Sequence, residues 1–246
     1  MNYDQFRNRL LAMFAPDKLE PAGEWGFLNE TGRDIGKIAY ATNLTPDTIL
    51  QAAGYSADFI LTHHDAWGFI YGMKDQCVRL LEQHRIAHAF FHAPLDDADF
   101  GTSASLAEAL QLQNCHRAIP VGIYTAAVIG QLPVEMSFQL LNESLCRVLG
   151  EPVTGYRNKA GTIRRICIAT GGGMMTNDMK WAVDASCDAY ITGEYMLYSQ
   201  LYARFAGMDL FIGSHTYTEI FGVRSLVERL VDGTDMTAVR LFEGNY

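Results

Sequence analysis

Histidines and carboxylates gather where short apolar runs end. The run "ADFILTHH" closes on two adjacent imidazoles, His63 and His64. His92 and, past Pro94, Asp96 follow "IAHAFF"; Glu194 follows "DAYIT"; His215 and Glu219 follow "LFIG". Neutral imidazole and carboxylate together hold zinc, manganese or iron. Ligands of open α/β sheets bind beyond the C-terminal ends of the strands, so this recurrence predicts a metal site. Successive side chains of a strand point to opposite faces. His63 and His64 can therefore share one ion only if the backbone turns, and the strand is expected to stop at Thr62. Otherwise they serve two ions, or one ligates and the other packs. Four or five ligands plus water suit a dinuclear site, in which ions about 3.5–4 Å apart clamp a substrate and activate a water. Asp96 or Glu219 could bridge them, and His92 or Glu194 could shuttle a proton.

Each residue also has a plainer reading. His63 and His64 could be strand-end polar groups bonded to backbone. Asp96 lies in "PLDDAD", where Asp caps its own turn. Thr216 and Glu219 match a capping box at the start of the last helix. Convergence of several strand ends on one chemistry favours the ligand reading. His84, His88 and His116 lack that placement and read as surface or packing residues. Gly171-Gly172-Gly173 could present N–H groups to an anion or simply turn with positive φ; no G-K-[ST] follows, so it is not a P-loop. Asp65, Trp67 and Phe69 are candidates for a pocket wall. The five cysteines form no C-x-x-C, sit in apolar contexts and are expected to be buried, reduced thiols.

The elements that must position these residues come in two copies. "KIAYATNLTPDTILQAAGYSADFILTHH" and "RRICIATGGGMMTNDMKWAVDASCDAYITGE" both open on an apolar run ending in Ala-Thr. Both close on matched Ser, Asp and Thr: Ser56, Asp58, Thr62 and Ser186, Asp188, Thr192. Helix and strand patterns continue in each half, giving a duplicated β-α-β-α-β-α unit. The expected fold class is α/β, with mainly parallel sheets covered by helices. A first lobe of residues 1–122 and 213–246 should carry most metal ligands, with residues 123–212 as the second. Residues 118–160 fall outside the repeat.

The totals narrow the partners. The chain has 246 residues, 49% hydrophobic and 19% charged, with formal net charge -9. That acidity argues against a nucleic-acid surface; "KAGTIRR" could be a local basic patch but reads better as a solvated strand edge. The start lacks the apolar core and cleavage site of a signal peptide. Prolines, glycines and polar residues make "AIPVGIYTAAVIGQLPV" a poor membrane span. A cytoplasmic protein is expected.

The ordered pieces "ADFILTHH", "HAPLD", "TGGG", "DAYITGE" and "GSHTYTEIFGV" resemble the Nif-three-like dinuclear metal-centre family, whose members are often labelled GTP cyclohydrolase I type 2 homologues. The resemblance covers most of the chain. It implies two interlinked α/β lobes, a homohexamer built as a trimer of dimers, and two divalent metal ions, with ligands falling on His63, His64, Asp96, His215 and Glu219. It also implies a metal-dependent hydrolase acting on a small molecule such as a purine nucleotide. The alternatives are a non-catalytic metal chaperone, sensor or assembly protein, and an α/β protein whose histidines are structural. This chain departs from the family in having Asp65 where many members have Pro, Asn43 where several have Asp, and "YMLYS" where some have histidines.

Overall fold

The computed structural model of the chain describes residues 1–244. Its elements run α1 (Tyr3–Leu11), β1 (Trp25–Leu28), β2 (Lys37–Asn43), α2 (Pro46–Gly54), β3 (Phe59–His64), α3 (Met73–His84), β4 (Ala87–Phe91), α4 (Ala93–Asp97), α5 (Thr102–Ala109), β5 (Gln113–Val121), β6 (Tyr124–Met136), α6 (Phe138–Leu149), β7 (Thr154–Tyr156), β8 (Ile163–Ala169), α7 (Thr176–Asp184), β9 (Ala189–Thr192), α8 (Leu197–Ala206), β10 (Asp209–Ile212), α9 (His215–Val231) and β11 (Thr237–Arg240). Among the described residues no helix is long and apolar enough to cross a membrane.

Two compact units emerge, Met1–Phe100 with Val223–Gly244, and Gly101–Gly222. The first holds a five-stranded sheet in the order β1-β4-β3-β2-β11. Its strands are parallel except β1, which runs antiparallel along β4. The central strand, β3, is buried along its whole length, as a strand covered on both faces should be. The second unit holds a six-stranded sheet in the order β5-β6-β8-β9-β10-β7. Its core, β8-β9-β10, is parallel, and β7 lies antiparallel to β10 as β1 does to β4. The segment outside the repeat supplies β6 and the end of β5, a hairpin that turns at Gly122 (φ 61°) and adds antiparallel strands to β8. The division falls after residues 100 and 222, beside the expected 122 and 213, and the β5-β6 pairing lies within the second unit.

The duplicated Ser/Asp/Thr pattern has a mechanical basis. Ser56 and Ser186 both take positive φ, 53° and 55°, where a helix ends and its chain turns into the next strand. The Asp58 carboxylate accepts the backbone N–H groups of Gly36 and Lys37, each at 2.9 Å, at the start of β2. The Asp188 carboxylate accepts those of Arg164 and Arg165, at 2.9 and 2.8 Å, at the start of β8. Each aspartate thus ties the N-terminal end of one strand to the one beside it, and so fixes register.

Three local expectations are corrected. β3 does not stop at Thr62: it continues through His64, which pairs with Asn43 of β2. Only its ladder to β4 ends at Thr62, opposite Phe90. "HAPLD" leaves the strand pattern at His92 and forms α4, started by Pro94 in its first turn. α9 begins at His215, with Ser214 Oγ accepting the Tyr217 N–H at 3.2 Å, so Ser214 does the capping that the Thr216–Glu219 pattern suggested.

Candidate metal centre

In the first unit, three imidazoles meet at the ends of β3 and β4. The His63 and His64 rings lie 4.6 Å apart between centroids, and the His92 ring lies 5.0 Å from the first and 5.4 Å from the second. Ligand nitrogens of His63, His64 and His92 all fall within 4.8 Å of one another, an arrangement that could hold a metal ion. Asp96 joins them from α4, with Oδ1 3.5 Å from His63 Nε2. His63 and His64 are buried, whereas His92 is exposed.

Each ring is held by its other nitrogen. His63 Nδ1 lies 2.8 Å from the Phe91 carbonyl, His64 Nδ1 2.8 Å from Asn43 Oδ1, and His92 Nδ1 2.8 Å from Glu24 Oε2. A carbonyl can only accept, so His63 Nδ1 carries a proton, which turns Nε2 towards the ligand role, as in metal-ligating histidines. Trp67 packs against His64 at 5.0 Å between ring centroids and stacks on Phe69, which is 73% exposed. Asp65 is taken up by Lys74, at 2.6 Å.

In the second unit, His215 and Glu219 stand one helical turn apart on α9, with His215 Nε2 3.1 Å from Glu219 Oε1. Glu194, at the end of β9, places Oε1 2.6 Å from His215 Nδ1. Burial pulls the His215 pKa down, but the Glu219 and Glu194 carboxylates more than offset this and raise it to about 9. A proton held between two carboxylates marks a place of strongly negative potential, one that suits a divalent cation.

Gly171 keeps that space open. It has φ +60°, and a Cβ there would collide with the Glu219 carboxylate and sit 2.8 Å from His215 Nε2. Its N–H donates to Thr218 Oγ1 at 3.0 Å, and α7 starts only at Thr176. The glycine run is therefore a clearance turn, and its first N–H is not offered to an anion. The donor sets of both units fit divalent metal ions.

Of the seven residues singled out from sequence, His63, His64, His92 and Asp96 come together in the first unit, and Glu194, His215 and Glu219 in the second. Sequence reasoning missed Glu24, which holds the His92 ring, because nothing in "AGEWGF" distinguishes it from a solvated acid. Other expectations change. Cys115 is exposed on the edge strand β5 and Cys146 is half-buried, while Cys77, Cys167 and Cys187 are buried as expected. Burial raises the Cys77 and Cys187 pKa values to about 11, so these thiols stay protonated. His88 is fully buried and packs in β4, with Nε2 2.8 Å from Thr62 Oγ1. Lys159 pairs with Asp188 at 2.5 Å and Arg164 donates to the Pro133 carbonyl, so "KAGTIRR" serves internal contacts.

Known proteins are similar to this chain in sequence and in fold. A protein from Haemophilus influenzae named GTP cyclohydrolase 1 type 2 homolog is 29% identical over 240 residues, covering 94% of this chain and 93% of the relative. One of the same name from Halobacterium salinarum is 30% identical over 207 residues, 79% of each chain. Among solved structures, the fold resembles that of protein ybgI, of unknown function (TM-score 0.89, 22% identity, all of both chains). It also resembles reduced HcgD from Methanocaldococcus jannaschii (TM-score 0.82, 20% identity, 98% of both chains). A family profile matches residues 1–243. The chain belongs to the Duf34/NIF3 (NGG1p interacting factor 3) family.

Proposed function

We propose that the protein is a dinuclear metal-binding protein that uses two divalent cations (zinc, manganese or iron) as a hydrolase of the GTP cyclohydrolase I type 2-like class. His63, His64, Asp96, His215 and Glu219 are the ligands in this reading. The observation that carries it is the meeting of imidazoles and carboxylates at strand ends: Asp96 Oδ1 lies 3.5 Å from His63 Nε2 beside His64, and Glu219 Oε1 lies 3.1 Å from His215 Nε2. The curated names of the relatives support the cyclohydrolase class. Bound cations of this kind lower the pKa of water and polarise the group under attack.

The chain's own residues have separate tasks. Asn43, Phe91 and Glu194 orient the rings of His64, His63 and His215 through their second nitrogens. His92, exposed and held by Glu24, is the group placed to accept or return a proton at its Nε2. Trp67, packed against His64, and Phe69 would stack against a flat substrate ring.

Metal analysis after exhaustive dialysis tests the centre. Two transition metals per chain are expected, falling in His64→Ala and Glu219→Ala; less than one in the wild type returns the histidines to a structural role. A screen of purine nucleotides and phosphoesters with metal-loaded protein tests the chemistry. Turnover lost in His64→Ala and Glu219→Ala is expected. Tight metal with no turnover, together with metal-dependent capture of a protein, favours a carrier or assembly role.

A further inference from the structure

We propose that Glu243 is a positioning residue that, acting through the Asn43 amide, locks His64 in the tautomer that leaves Nε2 available to a cation. The inference rests on the metal-centre reading above. Asn43 Oδ1 lies 2.8 Å from His64 Nδ1, and Asn43 Nδ2 lies 3.0 Å from Glu243 Oε1. An amide can present either end to a neighbour, and only the hydrogen-bond network decides which. Both Glu243 oxygens already accept backbone N–H groups, and Oε1 also faces the side-chain amide, so the amide nitrogen faces Glu243 and the carbonyl oxygen faces His64. His64 Nδ1 must then carry its proton, and Nε2 keeps its lone pair.

Glu243 can impose this because it is itself fixed. Oε2 accepts the Thr42 N–H at 2.7 Å, and Oε1 accepts the Asn43 N–H at 2.8 Å. The β11 ladder to β2 ends at Arg240–Tyr40, and the buried carboxylate continues it by taking the next N–H groups of β2. The segment before it is clamped as well. Leu241 N–H donates to the Tyr40 carbonyl at 2.9 Å, and the Gln51 amide bonds both the N–H and the carbonyl of Phe242, each at 2.9 Å. Asn43 meets Glu243 through both its backbone N–H and its side-chain amide. An aspartate there would face Glu243 carboxylate to carboxylate, a repulsive pair. The amide at 43 and the acid at 243 thus belong together.

The test measures zinc and cobalt(II) affinity of the full-length protein by competition with a chromophoric chelator. Glu243→Gln and Asn43→Ala should each weaken binding by about 10-fold or more. In the Asn43→Ala background, Glu243→Gln should add less than about 2-fold, because the relay is already gone. Asn43→Asp should also weaken binding, because two carboxylates would then face each other. A Glu243→Gln loss that persists without Asn43, or Asn43→Asp protein that binds as wild type, overturns the proposal. Melting temperatures of the metal-free variants read the fold separately, so the losses must appear in affinity. NMR of metal-free, 15N-histidine-labelled protein reads the tautomer without any metal: Nδ1–H at His64 in the wild type, and a mixture in Glu243→Gln. An unchanged tautomer in that variant overturns the proposal. Wild-type protein that retains no metal would defeat the metal-centre reading instead.

Discussion

A methyl group at position 171 would meet Glu219 before anything else. Gly171→Ala adds that collision to the strain of φ +60°, so a stability loss above about 2 kcal/mol is expected, with loss of retained metal. Urea unfolding and metal analysis read the two effects. In a Glu219→Ala background the collision is gone and the stability penalty should shrink towards the backbone cost; an undiminished penalty would contradict the clearance role. His88 makes a second residue-scale prediction. Burial, then the nearby Lys74 charge, lowers its pKa to about 3. Above pH 6.5 it is neutral folded or unfolded and contributes no pH dependence. As pH falls from 6.5 towards 3, the unfolded chain takes up the proton and the native state does not. Stability should drop by up to about 1.4 kcal/mol per pH unit in that window. Urea unfolding at pH 7, 5.5 and 4.5 should give a flatter slope for His88→Gln than for wild type. The imidazoles and acids of the centre were legible because their types are rare at strand ends. Glu24 and Glu243 were not, because each acquires its role from a partner 68 and 200 residues away in the chain.

The aspartates Asp58 and Asp188 make the same prediction twice. Each accepts two backbone N–H groups at a strand start, and hydrogen bonds to a charged acceptor contribute about 1.5–3 kcal/mol. Asp58→Ala and Asp188→Ala should each destabilise the protein by roughly that amount in urea unfolding. Burial works against ionisation of Asp188, but Lys159 and the N–H groups of Arg164 and Arg165 overcome it and hold the pKa below the usual value. The Asp188 contribution is therefore present above the ordinary carboxylate range and fades as pH falls through the lowered folded value; Asp188→Ala should lose that acid sensitivity. This part of the architecture was legible because Ser, Asp and Thr recur at fixed offsets, and the offsets encode a helix end, a strand tie and a strand end. The start of α9 was misread for an equally physical reason. Thr216 and Glu219 satisfy the capping-box spacing, but Ser214 offers a cap two residues earlier, and the resulting extra half-turn puts His215 and Glu219 on one helix face. β3 likewise outruns Thr62 because Asn43 of β2 continues the ladder on one side only, which the run "FILTHH" cannot reveal.

At the scale of the whole molecule, one helix face is left to be covered. α8 packs inward through Ser199 and Ala203, both buried. Leu197, Leu201 and Phe205 recur every four residues on its other side and are 74%, 58% and 88% exposed. Trp181 of α7 is also exposed. A contiguous apolar stripe of this kind costs solubility in an isolated chain and marks a surface that associates. Helical spacing was visible in "LYSQLYARF", but sequence cannot say which side of a helix lacks a neighbour. If the chain forms the homohexamer expected from the family resemblance, another copy of the chain would cover the stripe. Six chains of 27.4 kDa make a particle of about 164 kDa. Analytical ultracentrifugation at micromolar concentration should find it for the wild type, and Leu201→Asp with Phe205→Asp should shift the protein to smaller species. Both substitutions fall on exposed positions, so the melting temperature of the dissociated chain should fall only by what assembly contributed. A wild type that sediments near 27 kDa, or a double variant that assembles unchanged, would remove the stripe from the assembly and leave it to a partner of another kind.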